Sequence, residues 1–162
     1  MDSLAPTAEK IAGLLRARGE SLAVAESSTG GLIAASLLAI PGASDYFLGA
    51  AVVYTVNARS GLLAITPDDM KGFRAASEPY ALLLAERARE RLGAVWGLSE
   101  TGAAGPTGNR YGDAAGHSCI AVSGPRSRVL TLETASADRR GNMRVFALHA
   151  LTALAETIEA AR

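Results

Sequence analysis

The residues best suited by type and spacing to do chemistry lie in one stretch, Ala23-Val-Ala-Glu-Ser-Ser-Thr-Gly-Gly31. Leu22 to Ala25 form a short apolar run fit for a buried strand. Leu32, Ile33, Ala34, Ala35, Leu37 and Leu38 then give a helical apolar face. A strand that turns directly into a helix leaves free backbone N–H groups and the positive end of the helix dipole at the turn. Ser and Thr there cap the helix, and Gly30 and Gly31 let a ligand come close to the backbone. Such a turn suits an anion, or a serine hydroxyl required to become one. Ser27 reads as a nucleophile flanked by N–H donors for an oxyanion, or as a plain helix cap. Ser28 and Thr29 read as caps or turn formers. Glu26 orients the turn, or is a helix-start carboxylate favoured by the dipole.

The elements that must position these residues follow from the pattern of the whole chain. Pro6 to Arg18 reads as a helix stopped by Gly19, and Tyr46 to Tyr54 as a buried strand. Asn57 to Leu63 reads as a short helix. Ser77 to Leu92 reads as a longer one, with Ser77 as N-cap and Pro79 in its first turn. A strand over Ala94–Ser99 runs into Glu100-Thr-Gly-Ala-Ala-Gly-Pro-Thr-Gly108, a second glycine-rich loop able to cradle a phosphate with its backbone. His117–Ser123 and Val129–Thr134 make a hairpin around Gly124-Pro125, and Arg139 to Ala160 closes the chain as a helix. These elements give an α/β sandwich with a mixed, mostly parallel sheet. Both polar loops follow strands, so they are expected to meet at the carboxyl ends of neighbouring strands.

At 162 residues the chain is read as one domain, 1–162. Lys and Arg total 16 and Asp and Glu 16, a net charge of zero with no basic run, so nucleic-acid or anionic-membrane binding has no electrostatic support. The lone Cys119 excludes an internal disulfide and a Cys-based metal site. It sits in an apolar run as a core hydrophobe. No metal-ligand spacing is present and no cofactor is expected. No stretch approaches a spanning helix, and Asp2, Glu9 and Lys10 break any signal-peptide pattern, so a cytoplasmic protein is expected.

The Ala-Glu-Ser-Ser-Thr-Gly-Gly stretch resembles the Ala-Glu-Ser-Cys-Thr-Gly-Gly signature of the C-terminal domain of the competence/damage-inducible CinA family, with Ser28 in place of cysteine. The resemblance runs over nearly the whole chain. It implies a three-layer α/β/α sandwich and, because stand-alone members are nicotinamide mononucleotide deamidases, an amidohydrolase with Ser27 as nucleophile. The Val53-Tyr54-Thr-Val-Asn-Ala-Arg59 segment is similar to the family's Val-x-Tyr-Ser-Asn-x-x-Lys, which places Tyr54 and Arg59 at the site. Arg59 stands where the resemblance implies a lysine base. A guanidinium stays protonated, so Arg59 can bind phosphate or an oxyanion but cannot be that base. Thr101, Gly102, Ala104, Gly105, Pro106 and Gly108 match the family's Thr-Gly-x-Ala-Gly-Pro-x-Gly loop. Glu100 precedes it where the family is apolar, and three roles are open to it: a contact with Arg59, a replacement base, or an exposed loop carboxylate. Asn109 and the segment from Asp113 to His117 depart from the family's rim. The Asp138-Arg-Arg-Gly-Asn-Met-Arg144 segment resembles Asp-Arg-x-x-x-Arg, and Arg140 and Arg144, four apart on a helix face, are read as a phosphate clamp. The resemblance further implies a small nucleotide as substrate and a homo-oligomer. A nucleotide-binding protein without hydrolysis, or a hydrolase of another nucleotide-like substrate, are the alternatives.

Overall fold

The computed structural model describes residues 2–161. Its elements are α1 (Ala5–Arg18), β1 (Leu22–Glu26), α2 (Leu32–Leu38), β2 (Phe47–Val52), α3 (Val56–Leu63), α4 (Glu78–Leu92), β3 (Trp96–Ala103), β4 (His117–Ser123), β5 (Arg128–Glu133) and α5 (Arg139–Ala160). The five strands form one sheet in the order β2-β1-β3-β4-β5. β1 pairs in parallel with β2 and β3, while β4 runs antiparallel to both β3 and β5. Four strands therefore point the same way and only β4 is reversed.

Side chains alternate across the pleat, and the two faces are covered by different helices. Leu22, Val24, Trp96, Leu98, Ile120 and Val122 pack with α1, α2 and α5. Ala23 and Ala25 pack on the other face with Leu63 of α3 and Tyr80 and Leu84 of α4, giving the three-layer arrangement. α4 comes close to the sheet because Gly97 has no side chain, and a Cβ there would lie 2.1 Å from the Ala85 carbonyl. The expected Ser77 cap is present, accepting from Tyr80 N. No helix among the described residues is long and apolar enough to cross a membrane.

Two strands differ in kind from the sequence reading, beyond shifts of one or two residues at other ends. β2 is an edge strand with alternate residues half-buried rather than a buried strand, because Gly49 and small alanines form its centre and no further strand covers it. β3 does not end at Ser99. It continues through Glu100, Thr101, Gly102 and Ala103, paired residue by residue with Ile120 to His117 of β4. Gly102 has no alternative there, since a Cβ would lie 2.2 Å from the His117 carbonyl. The first residues of the expected loop are thus rigid strand.

Candidate functional site

Two buried carboxylates build the turn after β1. The parallel register sets Val24 beside Leu98, so Glu26 and Glu100 stand at the carboxyl ends of neighbouring strands on one face, both wholly buried. Glu26 Oε2 accepts from Gly31 N at 3.0 Å and Ile33 N at 3.1 Å, and its Oε1 from Ala34 N at 2.7 Å. The cap of α2 is therefore a glutamate reaching up from the strand, not a serine or threonine. Gly31 occupies the cap position itself with φ 102°, a conformation that favours glycine. Glu100 Oε2 accepts from Ser27 N at 3.3 Å, Thr29 N at 2.9 Å and Thr29 Oγ1 at 3.0 Å, and its Oε1 from Ser118 Oγ at 3.1 Å and from Ser28 Oγ. Burial pushes the Glu100 carboxyl above its ordinary range, and the hydrogen bonds from Ser28, Thr29 and Ser27 only partly offset that.

This arrangement corrects one expectation. The N–H groups at the start of α2 do not await an external anion, because the chain's own carboxylates take them. Gly30 N and Leu32 N bond to Ser27 O and Thr29 O. Ser28 N–H is left without an acceptor among the described residues, which makes it the turn's one free backbone donor there.

Two adjoining hollows open above the sheet. The larger, about 440 Å³, is lined by Ser27, Tyr54, Thr55, Arg59, Tyr80, Thr101, Gly102, Asn109, Arg110 and Tyr111, among others. The smaller, about 260 Å³, is lined by Ser28, Tyr54, Gly102, Ala104, Gly105, Thr107, Gly108, Asn109 and Arg139. Tyr54, Gly102 and Asn109 form the ridge between them. Ser27 and Ser28, adjacent in the chain, thus face different compartments. Pro106 lies outside both, on the exposed crest of the loop. Gly30 packs against α5, where a Cβ would lie 3.2 Å from Met143 Cε. Among the described residues, the N–H groups of Gly105, Thr107 and Gly108 have no protein acceptor, so free backbone donors line the smaller hollow.

Glu100 does not pair with Arg59. Alternation puts the Glu100 side chain on the same face as Trp96 and Leu98, towards α2, while Arg59 lies across the sheet, 5.6 Å over the Tyr80 ring. Glu100 is also no exposed loop carboxylate. It meets Ser28, so two of the departures from the family pattern, serine for cysteine and glutamate for an apolar residue, are one contact. Arg140 and Arg144 line neither hollow and are exposed. The arginine that does is Arg139, donating to Gly105 O at 2.6 Å and Tyr54 Oη at 3.3 Å. Met143 against Gly30 and the buried Phe146 and Ala150 mark the inward stripe of α5, and one turn back from Met143 is Arg139, not Arg140.

The rim is braced from beneath. Asp113 accepts two bonds from Arg74, at 2.7 and 3.0 Å, and one from Asn109 Nδ2 at 2.7 Å. Burial pushes the Asp113 carboxyl up, but those bonds and the nearby His117 outweigh it and hold it below its ordinary range. Tyr111 stacks on Arg74 at 5.0 Å. His117 is structural: it bridges Glu133 through Nδ1 and Ala76 O, at 2.8 Å, through Nε2. Burial lowers its pKa, yet those partners and Asp113 raise it overall. The sequence reading had not given Arg74, Tyr80, Arg110, Tyr111, Ser118 or Arg139 a part at the site. Only Arg139 carried a signal, its place in the quoted motif and its phase on the helix.

Chemically, the larger hollow offers the hydroxyls of Ser27, Thr55 and Thr101, three tyrosines and two guanidiniums, and among the described residues neither carboxylate, imidazole nor lysine lines it. That set suits an aromatic, anionic guest of nucleotide size.

Comparison with known proteins finds the family model of the CinA C-terminal domain matching residues 4–158. A CinA-like protein from Trichormus variabilis is 38% identical over 153 residues, which cover 94% of this chain and 36% of that protein. The chain spans about a third of the length of the curated relatives it matches. The solved competence damage-inducible protein A from Klebsiella pneumoniae superposes with a TM-score of 0.91 at 24% identity, covering 98% of this chain and 99% of that one. A competence or damage-inducible protein from Enterobacter asburiae gives 0.89 at 26%, covering 96% and 98%.

Proposed function

The chain belongs to the CinA C-terminal domain family, and we propose that it is an amidohydrolase converting nicotinamide mononucleotide and water to nicotinate mononucleotide and ammonia. The observation that carries the reading is Ser27 in the wall of a cationic, tyrosine-lined hollow that adjoins a second one, lined by Ser28 and a loop of unbonded amides. The pyridine ring occupies the larger hollow, and the phosphate takes the Gly105–Gly108 amides and Arg139 in the smaller. Ser27 Oγ attacks the carboxamide carbon, and the Ser28 N–H donates to the oxyanion. The C–N bond then breaks, and the serine proton leaves with the nitrogen as ammonia. Water hydrolyses the resulting ester and restores the hydroxyl.

The absence of a base among the lining residues of the larger hollow favours a second reading, a nucleotide-binding protein without turnover. Arg59 over Tyr80 supplies charge but accepts no proton. Ammonia release from nicotinamide mononucleotide by the wild type and Ser27→Ala, beside a binding titration, separates the two. The first reading predicts turnover that falls at least about a thousandfold in Ser27→Ala with binding retained. Binding by the wild type without turnover supports the second, and absence of both sinks each.

A further inference from the structure

The hydrogen count around Thr29 does not close if both buried glutamates are ionised. Thr29 Oγ1 lies 2.7 Å from Glu26 Oε2 and 3.0 Å from Glu100 Oε2. A hydroxyl has one proton to donate. Two anions would both draw on it, in a site where neither glutamate has any solvent-exposed surface. One added proton closes the count, because an un-ionised carboxyl donates to Thr29 Oγ1 and Thr29 donates to the other. We propose that Glu26 and Glu100 hold one proton between them at neutral pH, passed through Thr29 Oγ1, with the charge on Glu26 and Glu100 as the neutral acid.

The environments decide which partner is neutral. Glu26 receives three backbone N–H groups at the start of α2, which stabilise a carboxylate. Glu100 receives two backbone N–H groups, Thr29 at 2.9 Å and Ser27 at a long 3.3 Å, and its other three partners are the hydroxyls of Ser28, Ser118 and Thr29, which donate or accept as required. Among the described residues no cation forms a salt bridge with either glutamate. α2 carries no ionisable side chain, β4 presents Ser118 and Ile120 on this face, and α5 brings Met143 near the turn while Arg139 goes to Gly105 and Tyr54. His117, Arg59 and Asp113 lie on the opposite face or the rim.

Glu100 is then a positioning residue and not a base. It holds the Ser27–Thr29 turn by four groups while leaving a single negative charge beneath a hollow that takes an anionic guest. Deprotonation adds a second charge there. The consequence for substrate rests on the function proposed above; the proton count does not.

The test compares wild type, Glu100→Gln, Thr29→Ser and Thr29→Val. Gln removes the ionisable group: its oxygen accepts from Ser27 N and Thr29 N and its amide donates to Ser28 and Ser118, while the proton that the acid gives to Thr29 Oγ1 is lost. A raised folded-state pKa stabilises fully below the ordinary value of 4.5 and is lost as pH rises through the folded value. The wild-type melting midpoint therefore falls relative to that of Glu100→Gln as pH rises above 4.5, by about 3–5 °C per pKa unit of elevation. His117 titrates in both proteins and cancels. Infrared spectra at neutral pH show the carbonyl band of an un-ionised buried acid in wild type and Thr29→Ser, and not in Glu100→Gln. Thr29→Val, which breaks the relay, shows a larger alkaline loss than Thr29→Ser. If substrate turns over, KM rises with pH in wild type and less in Glu100→Gln, while kcat is similar in both. A flat pH difference between wild type and Glu100→Gln, or no acid band, overturns the proposal. Loss of kcat in Glu100→Gln with KM unchanged overturns the positioning role and makes Glu100 a base. Absence of turnover leaves the melting and infrared arms deciding the proton count alone.

Discussion

Ser27 and Ser28 are neighbours with opposite surroundings. Ser28 Oγ is tied to Glu100 on the buried side of the turn, and Ser27 is half-buried in the wall of the larger hollow. A nucleophile must reach its substrate, which favours Ser27; a hydroxyl that fixes a turn must not, which favours Ser28 as a strut. Glu26 is the other strut. Its two oxygens take three backbone N–H groups and the Thr29 hydroxyl, and an amide in its place would turn an NH2 towards at least one of those donors. Glu26→Gln is expected to destabilise the protein by about 2–4 kcal/mol in a denaturant titration, the range for a buried donor left unsatisfied beside a lost charge. Glu100→Gln at neutral pH costs far less, because that position already accommodates a neutral group. Equal losses from the two substitutions would contradict the different roles assigned to them.

The elements show what alternation decides. Glu100 was legible as a site residue from its place beside the Thr-Gly motif, but its partner was not. The sequence reading ended β3 at Ser99, and a residue in a loop has no defined face. Once Glu100 belongs to the strand, its parity with Trp96 and Leu98 aims it at α2, and a contact with Arg59 becomes impossible. The same question of face arises at α5, where Arg139 and not Arg140 or Arg144 lines a hollow. Arg140 and Arg144 share a face with each other, but the face that meets the site is fixed by Met143, Phe146 and Ala150. Arg139→Ala is expected to raise KM about tenfold or more by removing the Gly105 and Tyr54 contacts and a phosphate partner, and Arg140→Ala to change it little. Steady-state kinetics, or binding titrations where turnover is absent, check this. The reverse order would restore the original assignment.

At the scale of the whole molecule the sequence was read well where hydrophobic period and caps agree. The helices over Pro6–Arg18, Ser77–Leu92 and Arg139–Ala160, the hairpin and the central strand all lie where apolar spacing placed them. The meeting of the two polar turns also follows from topology, because β1 and β3 are adjacent and parallel, so their carboxyl ends open on the same edge. What spacing could not supply was how the donors there are shared out, since that depends on side chains entering from a second strand. The chain's own glutamates fill the end of α2, and the amides left free for a guest lie in the Gly105–Gly108 loop instead. A crystal structure of Ser27→Ala with nicotinamide mononucleotide tests this division directly. The carboxamide carbon is expected to face position 27 within about 3.5 Å of where the hydroxyl would stand, with the phosphate on the amides of the Gly105–Gly108 loop. A phosphate at the start of α2, or a ligand bound outside both hollows, would contradict it.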